Sequence, residues 1–516
     1  MSSITRRRFI EETLSASFAA SAAATIASGG LSSAVFAQEQ PKVDKNSEVG
    51  IALIGAGGRI GDHIGGYTKD KRVKILYICD PDVNRAEARS ENFEKKYGYR
   101  LKVLPDFRKA LEDKNVDVVS GATCNHWHVL ASVWALQAGK HVYMEKPLTH
   151  NIHEGKAIVA AQKKYGKVVQ TGTQCRSAKN VQDIVKFVQE GGIGEIKLAH
   201  GLCYKRRKSI GAKGDYPIPP GVDFDFWSGP APITSPKLTR KRFDYDWHWQ
   251  RLYGNGDLGN QGPHQTDIAR WLLGLDRFPQ SVIAYGGRLG YDVETKDPNY
   301  VDAGDTPNTV ISIYDYGDKT LVFETLGLET PNLNIPVGEN FGTQVGVIAY
   351  GSKGYAIQGG VKGQSYSLSY AYDLDGNEIK AFTGGDNHYA NFVDAVLAND
   401  PSKVNADART GALSAAVSHL GNISYYLGES NKVSADDLRK TVAGIKSFDD
   451  NSATLERILK HLTDGNGVDL KKTPLSLGPQ LKIDVEKEEF IGNDAANALA
   501  TREYRAPYIV PAPDKV

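Results

Sequence analysis

The sequence predicts an α/β fold with two parts: an N-terminal domain built on a doubly wound parallel sheet, and a C-terminal α+β domain with a mostly antiparallel open sheet. From Val49 to about Gly172, short apolar runs of strand length alternate with helical stretches, which is typical of a parallel sheet. Between residues 282 and 357, alternating or β-rich runs follow one another, which indicates antiparallel pairing.

The N-terminal part alternates strands and helices in order. Strands are expected at 49–54, 73–78, 101–104, 116–119, 140–144 and 167–170. Helices are expected at 84–97, 128–138 and 152–164. Because continuous apolar strands are buried on both faces, helices should cover both sides of the sheet.

The character of the sequence changes after about Gly172. A helix at 180–189 and a strand at 196–203 precede a long Pro-, Gly-, Arg- and Trp-rich loop region that ends near Gly262. Helices are expected from His264, at 389–397 and at 406–426, and the stretch from about Asn431 is charged, irregular and expected to wrap the body. The predicted domains are therefore 48–172, 173–430 and a C-terminal extension at 431–516.

The N-terminus has the pattern of an export signal. Residues 5–10 read Thr-Arg-Arg-Arg-Phe-Ile, a twin-arginine motif, and a weakly apolar Ala/Ser-rich stretch follows. Small residues at Val35 and Ala37 favour cleavage after Ala37, so we expect a signal peptide at 1–37, a linker at 38–47 and a periplasmic location. The alternative is a basic, disordered tail.

The composition and net charge limit the kinds of molecule that the protein is expected to bind. Hydrophobic residues make up 41% and charged residues 24% of the 516 residues, and a formal net charge of +1 gives no sign of a nucleic-acid or anionic-membrane partner. No other apolar run is long enough to suggest a membrane span in the mature protein. The four cysteines lie far apart and are interpreted as buried apolar residues, not as disulfides or metal ligands.

A glycine-rich loop directly follows the first strand. Residues 55–61 read Gly-Ala-Gly-Gly-Arg-Ile-Gly, and such glycines let the backbone approach a pyrophosphate at the N-terminus of the next helix. The usual G-x-G-x-x-G spacing is not met, because an isoleucine stands at the sixth position. The loop predicts a Rossmann dinucleotide-binding domain with contacts from Gly55, Gly57, Gly58, Arg59 and Ile60.

An acidic residue marks the end of the second strand. Asp80 can hold the ribose hydroxyls and would repel a 2′-phosphate, which favours NAD over NADP. Arg85 is close enough in sequence to leave NADP open. The alternative for Asp80 is a turn or capping aspartate before Pro81.

Two further segments follow strands at the same edge of the predicted sheet. After the fourth strand, contacts with the nicotinamide half of the cofactor are expected from Thr123, Asn125, His126 and His128. The histidines have no further ligands at metal-binding spacing, so no metal is expected. After the fifth strand, Lys146 is a candidate catalytic group on a rigid strand end, fixed by Pro147; the alternative is a surface lysine.

These motifs resemble the glucose–fructose oxidoreductase/inositol dehydrogenase/rhizopine-catabolism (Gfo/Idh/MocA) family. The carriers are the glycine loop, Asp80, residues 123–128, Glu145-Lys146-Pro147 and the second-domain motif at 256–271, and they cover about residues 48–430. Residues 201–211 and the Asn260-Gln261 pair look like the secreted, twin-arginine branch of the family.

The resemblance implies roles for individual residues. Glu145 and Lys146 would contact the cofactor, the lysine would also point at the reacting hydroxyl, and His264 would be the general acid/base. Family dehydrogenases place an aspartate four residues before this histidine, whereas Asn260 stands here. Because an amide takes no proton, proton transfer would fall to His264, aided by Lys146. Asp267 would orient His264 or only cap the helix.

Candidate substrate contacts lie near the domain junction and along the second domain. They are Gln174, Arg176, Tyr204, Arg206 and Asp267. The basic run at 204–208 is either a solvated loop or a cleft wall for an anionic sugar, and residues 247–249 either stack on a sugar ring or belong to the core.

Three functions remain open on the sequence. The first is an exported NAD(P)-dependent oxidoreductase that acts on a hydroxyl of a sugar or glycoside and recycles a tightly bound cofactor. The second is an NAD-requiring glycoside hydrolase that oxidises, eliminates, adds water and reduces, and the third is a non-catalytic binding protein. The family resemblance also implies a homo-oligomer formed through the open face of the second sheet.

Overall fold

The computed structural model describes residues 48–233, 237–330, 343–361 and 368–516. Its first sheet has six parallel strands in the order β3-β2-β1-β4-β5-β6, the order of a doubly wound sheet. These strands are β1 (Val49–Ile54), β2 (Val73–Cys79), β3 (Lys102–Leu104), β4 (Val118–Gly121), β5 (His141–Met144) and β6 (Val169–Thr171). The predicted signal peptide and linker lie outside the described residues.

Helices cover both faces of this sheet, as the sequence predicted. They are α1 (Ile60–Tyr67), α2 (Val83–Tyr97), α3 (Arg108–Leu111), α4 (His128–Gln137) and α5 (Ile152–Tyr165). Successive residues of β1 point to opposite faces, so Ile51 packs in one apolar cluster and Ala52 in another. Helix α2 begins where Asp82 accepts the backbone N–H of Arg85.

The second sheet is mostly antiparallel, also as predicted, with β7 beside β10 as a parallel pair. Its main strands are β7 (Ile196–Tyr204), β8 (Ser281–Gly287), β9 (Thr309–Asp315), β10 (Thr320–Leu326), β11 (Thr343–Gly351), β12 (Gly354–Val361), β13 (Leu368–Asp373) and β14 (Glu378–Thr383). Helices of this part are α6 (Lys179–Gln189), α7 (Phe224–Ser228), α8 (Gly256–Asn260), α9 (Gly262–Leu273), α10 (Tyr291–Thr295), α11 (His388–Leu397) and α12 (Ala408–Leu427). One face of the sheet packs against α9 and α12 in a single apolar core.

The C-terminal extension is regular, which corrects the expectation of an irregular tail. It contains β15 (Lys432–Val433), α13 (Ala435–Ala443), α14 (Asn451–Asn466), β16 (Leu475–Leu477), β17 (Leu481–Asp484), β18 (Glu489–Phe490) and α15 (Asp494–Leu499). Strands β16 and β17 both pair with β8, so the extension enlarges the second sheet.

The extension also covers the sheet face that was expected to be open. Leu438 of α13 and Leu455 and Leu462 of α14 are buried in one cluster with Leu202 and Ile313 of the sheet. Apolar side chains at helical spacing on α14 explain this packing, and the charged residues between them hid the pattern. The expected route to a homo-oligomer through this face is therefore wrong, while oligomerisation itself stays a prediction.

The end of the chain returns to the first domain. The Tyr508 ring packs edge-on against Trp127 at 5.6 Å between ring centroids, and Arg505 forms an ion pair of 2.6 Å with Asp225. These contacts fix the last residues against the segment that carries α7. Among the described helices, none has the length and apolar character needed to span a membrane.

Candidate active site

A cleft of about 580 Å³ opens at the carboxyl ends of the parallel strands, where such sheets bind ligands. One wall carries the predicted cofactor contacts Gly55, Gly57, Gly58, Arg59, Asp80, Thr123, Asn125, His128, Glu145 and Lys146. The opposite wall comes from residues 226–260, which follow β7 in the chain, and includes Phe226, Trp227, Phe243, Asp244, Tyr245, Trp247, His248 and Asn260. Most of the predicted residues are therefore brought together in one place.

The glycine loop has the geometry that a nucleotide cradle requires. Gly55 has φ of +84°, and a Cβ there would lie 2.5 Å from the carbonyl oxygen of Ala122, so only glycine fits. At Gly58 a Cβ would meet nothing within 4 Å, which leaves room for a ligand at the start of α1. The Ile60 side chain is fully buried in the core and does not line the cleft, so its predicted cofactor contact stays a prediction for the backbone N–H alone.

Asp80 is buried at the cleft and held by backbone groups. Its carboxylate accepts the N–H of Ala56 at 2.6 Å and the N–H of Asp82 at 2.8 Å. Burial raises the pKa of Asp80, and these hydrogen bonds oppose that shift. The nearby Arg85 guanidinium pairs with Asp244 from the opposite wall. The free lone pairs of the Asp80 carboxylate suit ribose hydroxyls, so cradle and carboxylate together fit an adenosine diphosphate group.

His126 was predicted to touch the cofactor, and the structure contradicts this. Its ring nitrogens lie 3.2 Å from the carbonyl oxygen of Tyr253 and 3.1 Å from that of Trp227, and the residue does not line the cleft. Burial lowers its pKa to about 3, so the ring is neutral and joins the two walls. The described residues contain no group of three or more His, Cys, Asp or Glu side chains arranged to hold a metal ion.

Glu145 is the centre of a buried hydrogen-bond network. Its Oε1 accepts from Arg59 Nε at 2.9 Å, lies 3.2 Å from His63 Nε2, and accepts from Gln174 Nε2 at 3.1 Å. Burial alone would raise the pKa of Glu145, but Arg59, His63 and Lys146 hold it well below its ordinary value. Gln174, predicted to touch substrate, instead supports Glu145.

Lys146 extends from the end of β5 toward α8. Its ammonium donates to the backbone carbonyl of Asn260 and lies 3.3 Å from the side-chain Oδ1 of the same residue. Burial lowers the pKa of Lys146 to about 8; Glu145 opposes this shift, while Arg59 and Arg207 reinforce it. A lysine with this pKa exchanges its proton near neutral pH, which suits acid–base chemistry.

His264 lies in the first turn of α9, one helical turn beyond Asn260, and is not among the residues that line the cleft. Burial and then the charge of Lys146 lower its pKa to about 3, so the imidazole is neutral. Its ring makes no hydrogen bond within the described residues. The structure thus places His264 in the electrostatic field of Lys146, and its role as acid/base stays a prediction.

Two predicted substrate contacts bind each other instead. Asp267 accepts from Arg176 Nε at 2.7 Å and Nη2 at 2.8 Å, and from Ser414 Oγ at 2.6 Å. Asp267 is buried, and neither residue of this bidentate pair lines the cleft. The prediction that Asp267 orients His264 or caps its helix is therefore wrong.

The basic run at 204–208 begins at the last residue of β7 and continues beyond the strand, and its side chains point in different directions. Tyr204 is buried against the extension and donates to Glu324 at 2.6 Å, and Arg206 pairs with Glu294 at 2.6 Å, so neither reaches the cleft. Arg207 points the other way and donates to Asp257 at 2.9 Å. The sequence prediction missed the Arg207–Asp257 pair, which joins two residues 50 positions apart in the chain.

The aromatic residues at 247–249 also divide. Trp247 and His248 line the cleft, whereas Trp249 is buried in a small cluster with Ile210 and Ala303. Of these three residues, only Trp247 and His248 are therefore placed where they could stack on a sugar ring.

A doubly wound sheet, a glycine cradle and an acidic residue after the second strand are together typical of a Rossmann-type dinucleotide-binding domain, and a buried lysine follows the fifth strand. The Gfo/Idh/MocA family model, described as "Oxidoreductase family, NAD-binding Rossmann fold", matches residues 49–173. Residues 49–173 are therefore similar to the NAD-binding domain of this oxidoreductase family.

Relatives with assigned names resemble this chain over part of its length. A levoglucosan dehydrogenase of Pseudarthrobacter phenanthrenivorans is 29% identical over 202 residues, which cover 39% of this chain and 42% of the relative. An inositol 2-dehydrogenase of Salmonella typhimurium is 31% identical over 159 residues, which cover 30% of this chain and 44% of the relative. The matched part spans less than half the length of each.

A solved structure shows the same fold at low sequence identity. The complex of levoglucosan dehydrogenase with NADH and levoglucosan superimposes with a TM-score of 0.51 and 17% identity, covering 72% of this chain and 96% of that chain. At this identity the likeness concerns the fold.

Proposed function

We propose that this chain is an exported NAD-dependent oxidoreductase that acts on a hydroxyl of a sugar or glycoside and retains its cofactor. The observation that carries the proposal is Lys146, a buried lysine with a pKa lowered to about 8, at a strand end inside the cleft of an NAD-binding domain. Both named relatives are dehydrogenases of a polyhydroxylated ring, which supports a substrate of that class.

The residues of the cleft have separate roles in the proposed reaction. Bound NAD supplies the hydride acceptor. Lys146, which exchanges its proton near neutral pH, takes the hydroxyl proton or stabilises the developing oxyanion, and His264 is the predicted partner in this transfer. Glu145 holds the strand end through Arg59 and Gln174, so that Lys146 stays aimed at the cleft.

Contacts between the two walls support retention of the cofactor. The N–H of Asp223 donates to the carbonyl of Pro81 at 2.9 Å, and the indole N–H of Trp127 donates to the carbonyl of Trp227 at 2.9 Å. The C-terminal tail holds the same segment through Arg505 and Asp225. These contacts join the two walls of the cleft, so release of a dinucleotide requires several of them to open together.

Export is proposed from the twin-arginine motif at residues 5–10. Because this route is associated with folded cargo, the cofactor would enter the periplasm already bound and be recycled there by a second substrate. Cell fractionation tests this part: we expect the protein in the periplasmic fraction, and a variant with Arg6 and Arg7 replaced by Lys should remain in the cytoplasm.

The activity is tested with native protein. Mass spectrometry of the released nucleotide should identify NAD, and levoglucosan, myo-inositol and methyl β-D-glucopyranoside should be screened for reduced nicotinamide absorbance. Lys146→Met should lower turnover by about 100-fold or more while the nucleotide remains bound. Lys163→Met is the matched control, because Lys163 is exposed on α5.

Two results would contradict the proposal. One is protein that neither contains nor binds NAD. The other is cleavage of a nitrophenyl glycoside with no net accumulation of reduced nicotinamide, which would instead support the redox-assisted hydrolase.

A further inference from the structure

One loop of the second domain brings a histidine to the same region of the cleft as Lys146. Residues 243–248, named here the cleft loop, line the wall opposite the glycine loop at Phe243, Asp244, Tyr245, Trp247 and His248. His248 lines this cleft together with Lys146 and Asn260, and both Lys146 and His128 are close enough to influence its charge. His264, the histidine expected from the sequence, is not among the lining residues.

The hydrogen bonding of His248 defines its tautomer. Nδ1 lies 2.5 Å from the backbone carbonyl oxygen of Tyr245, which only accepts, so the ring proton sits on Nδ1. Nε2 is then an unprotonated acceptor, and it has no partner within the described residues. The Trp247 ring stacks on the imidazole at 3.6 Å between ring centroids, which holds the ring in this orientation.

The surroundings keep this ring neutral. Burial lowers the pKa of His248 to about 3, and the charges of Lys146, Arg207 and His128 act in the same direction, while the Tyr245 carbonyl opposes them. An imidazole with this pKa is a weak base and does not hold a proton at neutral pH. It can still accept a hydrogen bond throughout the physiological pH range.

We propose that His248 binds substrate, with Nε2 accepting a hydrogen bond from a substrate hydroxyl across the cleft from Lys146. The inference rests on the proposed oxidation of a sugar hydroxyl and adds a residue that selects for a hydroxyl donor at one ring position. A substrate without that hydroxyl leaves the acceptor unpaired, which is the kind of contact that discriminates strongly between analogues. Proton transfer remains with Lys146, whose pKa suits it better.

The substitution His248→Asn distinguishes the role of Nδ1 from the role of Nε2. The asparagine amide can still donate to the Tyr245 carbonyl near the position of Nδ1, but it places no acceptor at the position of Nε2. His153→Asn, on the partly exposed start of α5, is the control.

The first arm of the test needs no substrate. Diethyl pyrocarbonate reacts with unprotonated, accessible imidazole nitrogens, so peptide mapping at mildly acidic pH should find His248 modified at Nε2. If His153 is modified while His248 is not, the acceptor is closed to the cleft and the inference is wrong.

The second arm uses methyl β-D-glucopyranoside and its monodeoxy analogues, with levoglucosan and myo-inositol as further probes. For the wild type, kcat/KM for one deoxy analogue should be about 100-fold or more below kcat/KM for the parent glycoside. In His248→Asn most of this difference should disappear. The limb of the pH–rate profile that is set by Lys146 should stay in place.

The outcomes separate the two proposals. Unchanged discrimination in His248→Asn, with sugar oxidation intact, overturns the role of His248 alone. A shift of the pH profile in this variant would make His248 a proton acceptor and also overturn the inference. Absence of oxidation with every probe contradicts the proposed function, whatever the chemical modification shows.

Discussion

The ammonium of Lys146 donates to the backbone carbonyl of Asn260 and lies 3.3 Å from the amide oxygen of the same side chain. An uncharged amide, and no carboxylate, thus lies beside the ammonium of Lys146. Because the amide adds no negative charge, burial and neighbouring cations lower the pKa of Lys146 to about 8. Electrostatics around one lysine therefore decides the pH range of the proposed reaction.

Asn260→Asp should move the Lys146 limb of the pH–rate profile to higher pH. A carboxylate beside the ammonium stabilises its charged form, and an ion pair of this kind raises a lysine pKa by about 1 to 3 units. The measurement is turnover against pH with NAD-loaded protein. Asn299→Asp adds the same charge at an exposed residue and should leave the limb in place.

Glu145→Gln should move the same limb in the opposite direction. Removal of the carboxylate takes away the attraction that opposes the lowered pKa of Lys146, so the limb should fall below its wild-type position. Stability should also fall, by about 1 to 3 kcal/mol, because Arg59 loses its charged acceptor. If this variant and Asn260→Asp shift the limb the same way, the electrostatic account is wrong; exposed Glu112→Gln is the control.

Asp244→Asn should improve the binding of NADP relative to NAD. In the wild type, Asp244 pairs with Arg85 near Asp80, so a 2′-phosphate next to Arg85 would meet a guanidinium that is already paired with a carboxylate. Releasing Arg85 offers one charge-assisted hydrogen bond, worth about tenfold in relative affinity. Titration of both nucleotides checks this, with Asp375→Asn as an exposed control; an unchanged ratio would show that Arg85 does not reach the 2′ position.

A buried ionic network joins the second sheet to the C-terminal extension. His200 Nδ1 lies 2.9 Å from Glu324, and its Nε2 lies 3.0 Å from Asp449 of the extension. Arg457 of α14 pairs with the same Glu324 at 2.7 Å. Burial alone would lower the pKa of His200, but the two carboxylates raise it to about 9.

This network predicts a loss of stability at alkaline pH. The folded-state pKa of His200 lies above the unfolded value of about 6.5, so its contribution is complete below that pH and disappears as the pH rises through about 9. The contribution is on the order of 3 kcal/mol. Urea unfolding across this range should show the loss in the wild type and in His153→Gln, and a much flatter dependence in His200→Gln. Equal pH dependence in all three would remove His200 from this role.

The motifs of the nucleotide site are local, and the sequence alone was enough to predict them. The glycine loop, Asp80 and Lys146 each follow an apolar strand directly, so recognising the strand also places the residue at its carboxyl end. His126 was wrong because position in a motif does not say on which side of the backbone a side chain packs, and the buried side chain of Ile60 shows the same limit.

The sequence by itself determined the parallel domain, the mixed second domain and most of the cofactor wall, because strand and helix periodicity and strand-end residues are properties of contiguous segments. Three features were decided only by the tertiary structure. Arg207 pairs with Asp257, and His248 lines the same cleft as the glycine loop. Helices α13 and α14 pack on the second sheet. Those features join residues that are far apart in the chain. Their free energy comes from burying paired charges and apolar faces together, and a short stretch of sequence does not show which distant residues will pair.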